Sequence, residues 1–185
     1  EEEPEPWKEE IYERERRQIT EFFGRELPIG HMPTEITKER LDRWQEQGMG
    51  LHYLPDVDLD RRHELPGWKV KPYEWFYERA ALGDVLDFNE KGELVQLEQP
   101  INLGGKWVLI DEREKPIDNN GLVYPNDFLE ETMRQMRADG LLDHNHDLNP
   151  GTRFFTSWTE WYEKIRLETA KLLGVRPEQT RLPRV

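Results

Sequence analysis

Apolar residues recur every three or four positions in five stretches of this chain, a spacing typical of helices that bury one face. The five stretches cover residues 7–24, 38–47, 72–82, 126–139 and 157–173. A glycine closes or follows each of them, as expected where a helix ends. The pattern therefore predicts four or five helices.

Local capping signals mark two of the helix starts. Thr37 precedes the second stretch, and Ile36 and Leu41 around it have the spacing of a hydrophobic staple. Ser157 and Glu160 have the spacing of a capping box at the start of the last stretch. We therefore expect helices to follow directly after Thr37 and Ser157.

Shorter apolar runs predict strands. Residues 106–111 form the clearest run, directly after two glycines, and residues 51–54 form another. Residues 85–88 and 93–97 flank the turn-forming residues 89–92, which predicts a hairpin. The fold class is therefore α+β, with four or five helices packed on a small, mostly antiparallel sheet.

A chain of 185 residues is long enough to bury a sizeable core in one domain. Large side chains are expected to share that core, namely Tyr73, Phe76, Trp107, Leu109, Trp158, Trp161 and Ile165. Lys8 and Glu15 interrupt the apolar arc of the first helix, which places it at the periphery. We predict an acidic segment with a peripheral helix over residues 1–24 and a single globular α+β domain over residues 25–185. Residues 7–23 would then serve as a contact for a homo-oligomer.

The residue content excludes several functions. The chain has no cysteine, and its one serine, Ser157, is assigned to a helix cap, so thiol and serine nucleophiles are excluded. A net charge of −13 argues against nucleic-acid and anionic-membrane partners. No run reaches the roughly 18 apolar residues that a membrane span needs. The lack of cysteine suits a reducing cytoplasm.

Two of the five histidines, His144 and His146, lie in a polar segment together with Asp143 and Asp147. In extended backbone the two imidazoles would project to the same side. Such a set of groups suits a divalent metal such as zinc, manganese or calcium. The alternative is a solvated, turn-rich loop, because asparagine, aspartate, proline and glycine are common in residues 143–151.

A second polar cluster contains His52, Asp56 and His63 as candidate metal ligands. Carboxylates alternate with apolar residues over residues 56–60, so three of them would point the same way and repel one another unless a cation lay among them. The two arginines that follow offer a simpler alternative, in which they neutralise the acids.

Trp68 and Trp75 fall outside the predicted core-facing positions and are candidates for a binding surface. Aromatic rings beside acidic residues suit sugar faces or basic peptides, so a protein or carbohydrate ligand is expected. The alternative is that both rings cover the edge of the core, since tryptophan is usually largely buried.

Two functions follow from these features. The first is a soluble, acidic, non-catalytic binding or assembly module that uses aromatic and acidic surface. The second is a metal-dependent hydrolase with His144 and His146 as ligands and a carboxylate as the base. The metal content of the purified protein distinguishes the two.

Overall fold

The computed structural model describes residues 5–59, 65–67, 86–88, 94–96, 101–114, 123–143 and 149–180. They form two compact units. The N-terminal unit contains the described residues within 5–41 and 51–110, and the C-terminal unit those within 42–50 and 111–180. The predicted boundary at residue 24 stays a prediction.

Four helices of more than one turn occur in the described part of the chain, in agreement with the expected four or five. The first three are α1 (Pro6–Phe23), α2 (Lys38–Glu46) and α3 (Glu130–Ala138). The last runs continuously through α4 (Trp158–Glu160), a π-helical turn (Trp161–Ile165) and α5 (Arg166–Leu173). The helix predicted over residues 72–82 lies outside the described residues.

The predicted helix caps are present. The Thr37 hydroxyl accepts a hydrogen bond from the Arg40 amide at 3.4 Å. The Ser157 hydroxyl accepts one from the Glu160 amide at 3.1 Å, while the Glu160 carboxylate accepts one from the Ser157 amide at 2.7 Å. Gly24 ends α1 with a φ of 68°, a conformation that costs glycine little.

The strands form three two-stranded pairs in the described residues. β1 (Met49–Leu54) pairs with β6 (Lys106–Asp111). β2 (Asp58–Leu59) runs antiparallel to β5 (Ile101–Asn102). β3 (Leu86–Phe88) runs antiparallel to β4 (Leu94–Gln96), with Phe88 opposite Leu94, so the predicted hairpin strands are confirmed. The α+β class is thereby confirmed. The strands of the described residues form three separate pairs in place of the one small sheet that the sequence predicts.

Trp107 organises an aromatic group in the N-terminal unit. Its ring meets that of Tyr12 edge-on with centroids 5.5 Å apart, and that of Tyr53 at 5.4 Å. Its indole N–H donates to the Gly30 carbonyl at 3.0 Å. The Tyr12 hydroxyl accepts from the Met32 amide at 2.6 Å. These contacts join α1, β1 and β6 to the loop that precedes α2.

Glu15 joins α1 to β1 from inside the N-terminal unit. Its side chain is only 2% exposed, although the sequence pattern predicts that this charged residue interrupts the apolar face of α1. One carboxylate oxygen lies 2.8 Å from the Arg14 guanidinium and 3.3 Å from His52 Nδ1. The other accepts from the Tyr53 amide at 2.9 Å. The buried charge is therefore matched by donors on both sides, as burial requires.

The C-terminal unit has its own apolar cluster, formed by Leu129, Met133, Met136, Leu142 and Ile165 with Phe128 and Trp161 packed against it. Trp107 and Trp161 belong to different units, and Tyr73 and Phe76 lie outside the described residues, so the expectation of one shared core stays a prediction. Trp158 is 43% exposed, so its predicted burial is wrong.

Shortening Ile165 should measure how tightly this cluster is packed. Ile165 is fully buried, so Ile165→Val is expected to cost about 1 kcal/mol of unfolding free energy through the lost methylene. Leu167 is on the same helix and 38% exposed, so Leu167→Val serves as the control, with an expected cost under about 0.5 kcal/mol. Urea unfolding of the three proteins checks the ranking. Equal costs for the two variants would contradict the assigned core.

Candidate binding surface

Phe155 is the most exposed large apolar side chain in the described part of the chain, at 67%. It also has a φ of 59°, in the left-handed region that bulky residues seldom occupy. That conformation costs about 1–3 kcal/mol unless surrounding contacts enforce it. The fold therefore holds an aromatic ring in solvent at the expense of backbone strain.

Hydrogen bonds on both sides hold the loop that carries Phe155. The Phe154 amide donates to the Thr152 hydroxyl at 3.1 Å, and the Thr156 hydroxyl donates to the Arg153 carbonyl at 3.3 Å. Further upstream, the buried Arg137 guanidinium donates to the Thr152 carbonyl at 2.7 Å and to the carbonyl of residue 150 at 2.6 Å. The capping box at Ser157 follows directly. The outward position of Phe155 is thus imposed by its neighbours.

Arg153 ties this loop to a group of four charged residues, Asp111, Arg113, Asp127 and Arg153, which we call the arginine cluster. Arg153 donates from Nε to Asp127 at 2.8 Å, from Nη2 to the same carboxylate, and from Nη1 to Asp111 at 2.8 Å. Arg113 makes a two-point contact with Asp111 at 2.9 and 2.7 Å. Two acids and two bases balance each other, which is how buried charges are tolerated.

Two aromatic rings complete the arginine cluster. The Arg113 guanidinium carbon lies 4.3 Å from the Tyr124 ring centroid, and that of Arg153 lies 5.1 Å from it. The Phe128 ring centroid lies 5.0 Å from the guanidinium carbon of Arg153 and 5.6 Å from that of Arg113. The ring centroids of Phe154 and Tyr124 are 5.5 Å apart. Phe154 therefore points inward beside the cluster while Phe155 is exposed.

Burial and nearby charges shift the pKa of Asp111 in the arginine cluster and the pKa of the neighbouring Tyr124. Burial raises the pKa of Asp111, but hydrogen bonds and charge from Arg113 outweigh burial and leave that pKa below its usual range. Burial and the nearby Asp111 raise the pKa of the Tyr124 hydroxyl. A carboxylate with a lowered pKa is a weak base, so Asp111 is suited to holding arginine rather than accepting a proton from a substrate.

A second set of rings follows Phe155 in sequence, along the last helix. Trp158 stacks on Tyr162 with centroids 4.8 Å apart and an angle of 11° between the planes. The Arg166 guanidinium covers Tyr162 at 4.2 Å. Phe155 is three residues before Trp158, which limits their Cα separation to about 11 Å. We call Phe155, Trp158 and Tyr162 the aromatic surface.

Acidic groups surround the start of the same helix. The Glu160 carboxylate accepts from the Asp143 amide at 2.7 Å, which places the Asp143 backbone beside the first turn of the helix that carries Trp158. Burial raises the pKa of Glu160, but the amides of Asp143 and Ser157 bond to it and leave the pKa lowered. Asp143 and Glu163 are exposed. By contrast, Lys164 is engaged with the Leu141 carbonyl.

Most of the predicted metal ligands lie outside the described residues, namely His63, His144, His146 and Asp147. Asp143 is exposed and Asp56 is exposed. His52 lies against Glu15, at 3.3 Å. Within the described ranges no three histidine, aspartate or glutamate side chains are grouped so as to hold a metal ion. The metal site stays a prediction.

Trp68 and Trp75, the predicted binding surface, also lie outside the described residues. Phe155 and Trp158 were not predicted as surface residues. The sequence offers two adjacent phenylalanines just before a helix cap, and nothing local distinguishes the half-buried Phe154 from the exposed Phe155. That choice depends on contacts of Phe154 and Arg153 with residues far away in the chain.

Comparisons with protein-family models, with curated protein sequences and with solved structures find no match for this chain. None of the helices in the described ranges is long and apolar enough to cross a membrane.

Proposed function

We propose that this protein is a non-catalytic binding module that uses the aromatic surface to contact its ligand. The exposure of Phe155 in a left-handed backbone conformation carries the proposal. Exposing a large aromatic ring in a strained loop gives up both hydrophobic and conformational free energy. Strain of this kind is typical of ligand contacts, because folding alone gains nothing from it.

The arginine cluster supports a positioning role for the residues behind the surface. Arg153 is two residues before Phe155 and is held by both aspartates. A loop that is fixed before binding loses less conformational entropy when a ligand arrives. The balanced pairing of acids and arginines favours a structural use of these charges over catalysis.

Selection from a random peptide library displayed on phage tests the proposal with the full chain. Peptides that bind the wild-type protein are expected to lose most of their enrichment on the Phe155→Ala/Trp158→Ala double variant, because aromatic anchors commonly dominate binding energy. We expect the same peptides to persist on Leu172→Ala, a control that removes a side chain 37% exposed at the end of the same helix.

Circular dichroism and unfolding midpoints of the variants should match those of the wild type, since the two rings are exposed. If the Phe155→Ala/Trp158→Ala double variant is folded and selects the same peptides as the wild type, the aromatic surface is not the binding site and the proposal is wrong.

A further inference from the structure

The chemistry of the ligand follows from what the aromatic surface already contacts within the chain, provided that the proposed binding function holds. The guanidinium carbon of Arg166 lies 4.2 Å from the centroid of the Tyr162 ring. In the same unit, Arg113 and Arg153 lie within 4.3–5.6 Å of Tyr124 and Phe128. Guanidinium stacked on an aromatic ring is therefore the recurring contact of this unit, and it is favourable because the ring face is negative.

The charges around the aromatic surface favour a cation as well. Two basic side chains of the same helix are already engaged, Lys164 with a carbonyl and Arg166 with Tyr162. The carboxylates of Asp143 and Glu163 are exposed. The chain as a whole carries a net charge of −13. A positively charged partner is therefore attracted, and an acidic one is repelled.

We infer that the aromatic surface binds an arginine-containing segment of a partner protein, with an arginine side chain stacked on Phe155 or Trp158 and paired with Asp143 or Glu163. Arginine fits better than lysine because its planar guanidinium stacks on a ring and still donates hydrogen bonds at its edge. Carbohydrate would also stack on these rings, and its hydroxyls would donate to the carboxylates, but an uncharged sugar gains nothing from their negative charge.

Four fluorescein-labelled peptides test the inference by anisotropy with the full chain. They share one glycine–serine framework and carry arginine, lysine, citrulline or glutamate at the same positions. The arginine peptide is expected to bind about threefold or more tightly than the lysine peptide. It should bind about tenfold more tightly than the citrulline peptide, which keeps the shape of arginine but lacks its charge. The glutamate peptide should not bind.

Variants of the protein locate the contact. Phe155→Ala and Trp158→Ala are each expected to weaken the arginine peptide about tenfold. Leu172→Ala should leave it unchanged. Asp143→Asn and Glu163→Gln should weaken it about two- to fivefold and reduce the dependence of binding on salt. Glu178→Gln is the charge-matched control, because Glu178 is exposed in a separate turn at Pro177–Gln179.

Four outcomes would overturn the inference. Equal affinity for the arginine and glutamate peptides would reject charge complementarity. An unchanged affinity for both Phe155→Ala and Trp158→Ala would reject the aromatic contact. Binding of a cellohexaose probe that depends on Phe155 would assign the surface to carbohydrate. If phage selection yields Phe155-dependent peptides that lack arginine, this inference fails while the proposed binding function stands.

Discussion

Replacing Asp127 with alanine is expected to lower the unfolding free energy of the C-terminal unit by about 3–5 kcal/mol. The Asp127 side chain is 1% exposed and pairs with Arg153, which is 13% exposed. Asp127 also accepts from the Leu129 amide at 3.0 Å, next to the start of α3. The substitution removes the two hydrogen bonds from Arg153 to Asp127 and leaves only its bond to Asp111, and it removes the side-chain acceptor of the Leu129 amide. Urea unfolding measures the cost.

Two further variants show whether the charge pairing causes that loss. Glu131→Ala removes an acid that is 86% exposed and 3.9 Å from Arg134, and it should cost less than about 0.5 kcal/mol. Adding Arg153→Met to Asp127→Ala should recover part of the lost stability, because it removes a buried charge that has lost one of its two carboxylate partners. A loss below about 1 kcal/mol for Asp127→Ala would show that the arginine cluster does not support the fold.

Replacing Glu15 with glutamine is expected to destabilise the N-terminal unit by about 2–3 kcal/mol. Glutamine keeps only one acceptor oxygen. Its amide nitrogen replaces either the oxygen that accepts from Arg14 and His52 or the oxygen that accepts from the Tyr53 amide, and the donors on that side lose their acceptor. Hydrogen exchange of the Tyr53 amide should accelerate, since its acceptor is lost or weakened. Glu13→Gln, an exposed position on the same helix, is the control with little expected effect.

The effect of Glu15 should depend on pH in one direction. Burial raises the pKa of Glu15, but hydrogen bonds from His52, Tyr53 and Arg14 outweigh burial and leave that pKa below 4.5. A lowered pKa in the folded state means that the carboxylate stabilises the fold above pH 4.5 and that this contribution is lost as the pH falls through the folded-state pKa. The difference between wild type and Glu15→Gln should therefore be largest near neutral pH and shrink in acid. A constant difference would contradict the assigned role.

Much of the secondary structure was predictable from sequence because its signals are local. Thr37 and Ser157 cap helices through groups three residues away, and the strand over residues 106–111 was predicted with the bounds that the structure gives. Interactions between residues close in sequence need little loop closure, so they operate whatever the rest of the fold does.

Glu15 and Trp158 show where the local pattern failed. The helical periodicity placed Glu15 on the apolar face, where a charged residue was expected to weaken packing. Hydrogen-bond donors from β1 instead make its burial favourable. Periodicity placed Trp158 in the core, yet the ring lies at the surface and stacks on Tyr162. In both cases the residue was correctly assigned to a helix, but the burial of its side chain was predicted wrongly.

The sequence by itself determined the α+β class, the helix starts, the exclusion of thiol and serine nucleophiles, and the acidic charge of the chain. Only the tertiary structure decided which charges are buried together and which aromatic rings are exposed. Asp111, Asp127 and Arg153 come from segments up to 42 residues apart, and their pairing fixes the loop that turns Phe154 inward and Phe155 outward. Hydrogen bonds and charge pairs over such distances depend on the folded path of the chain, which no local spacing of residues encodes.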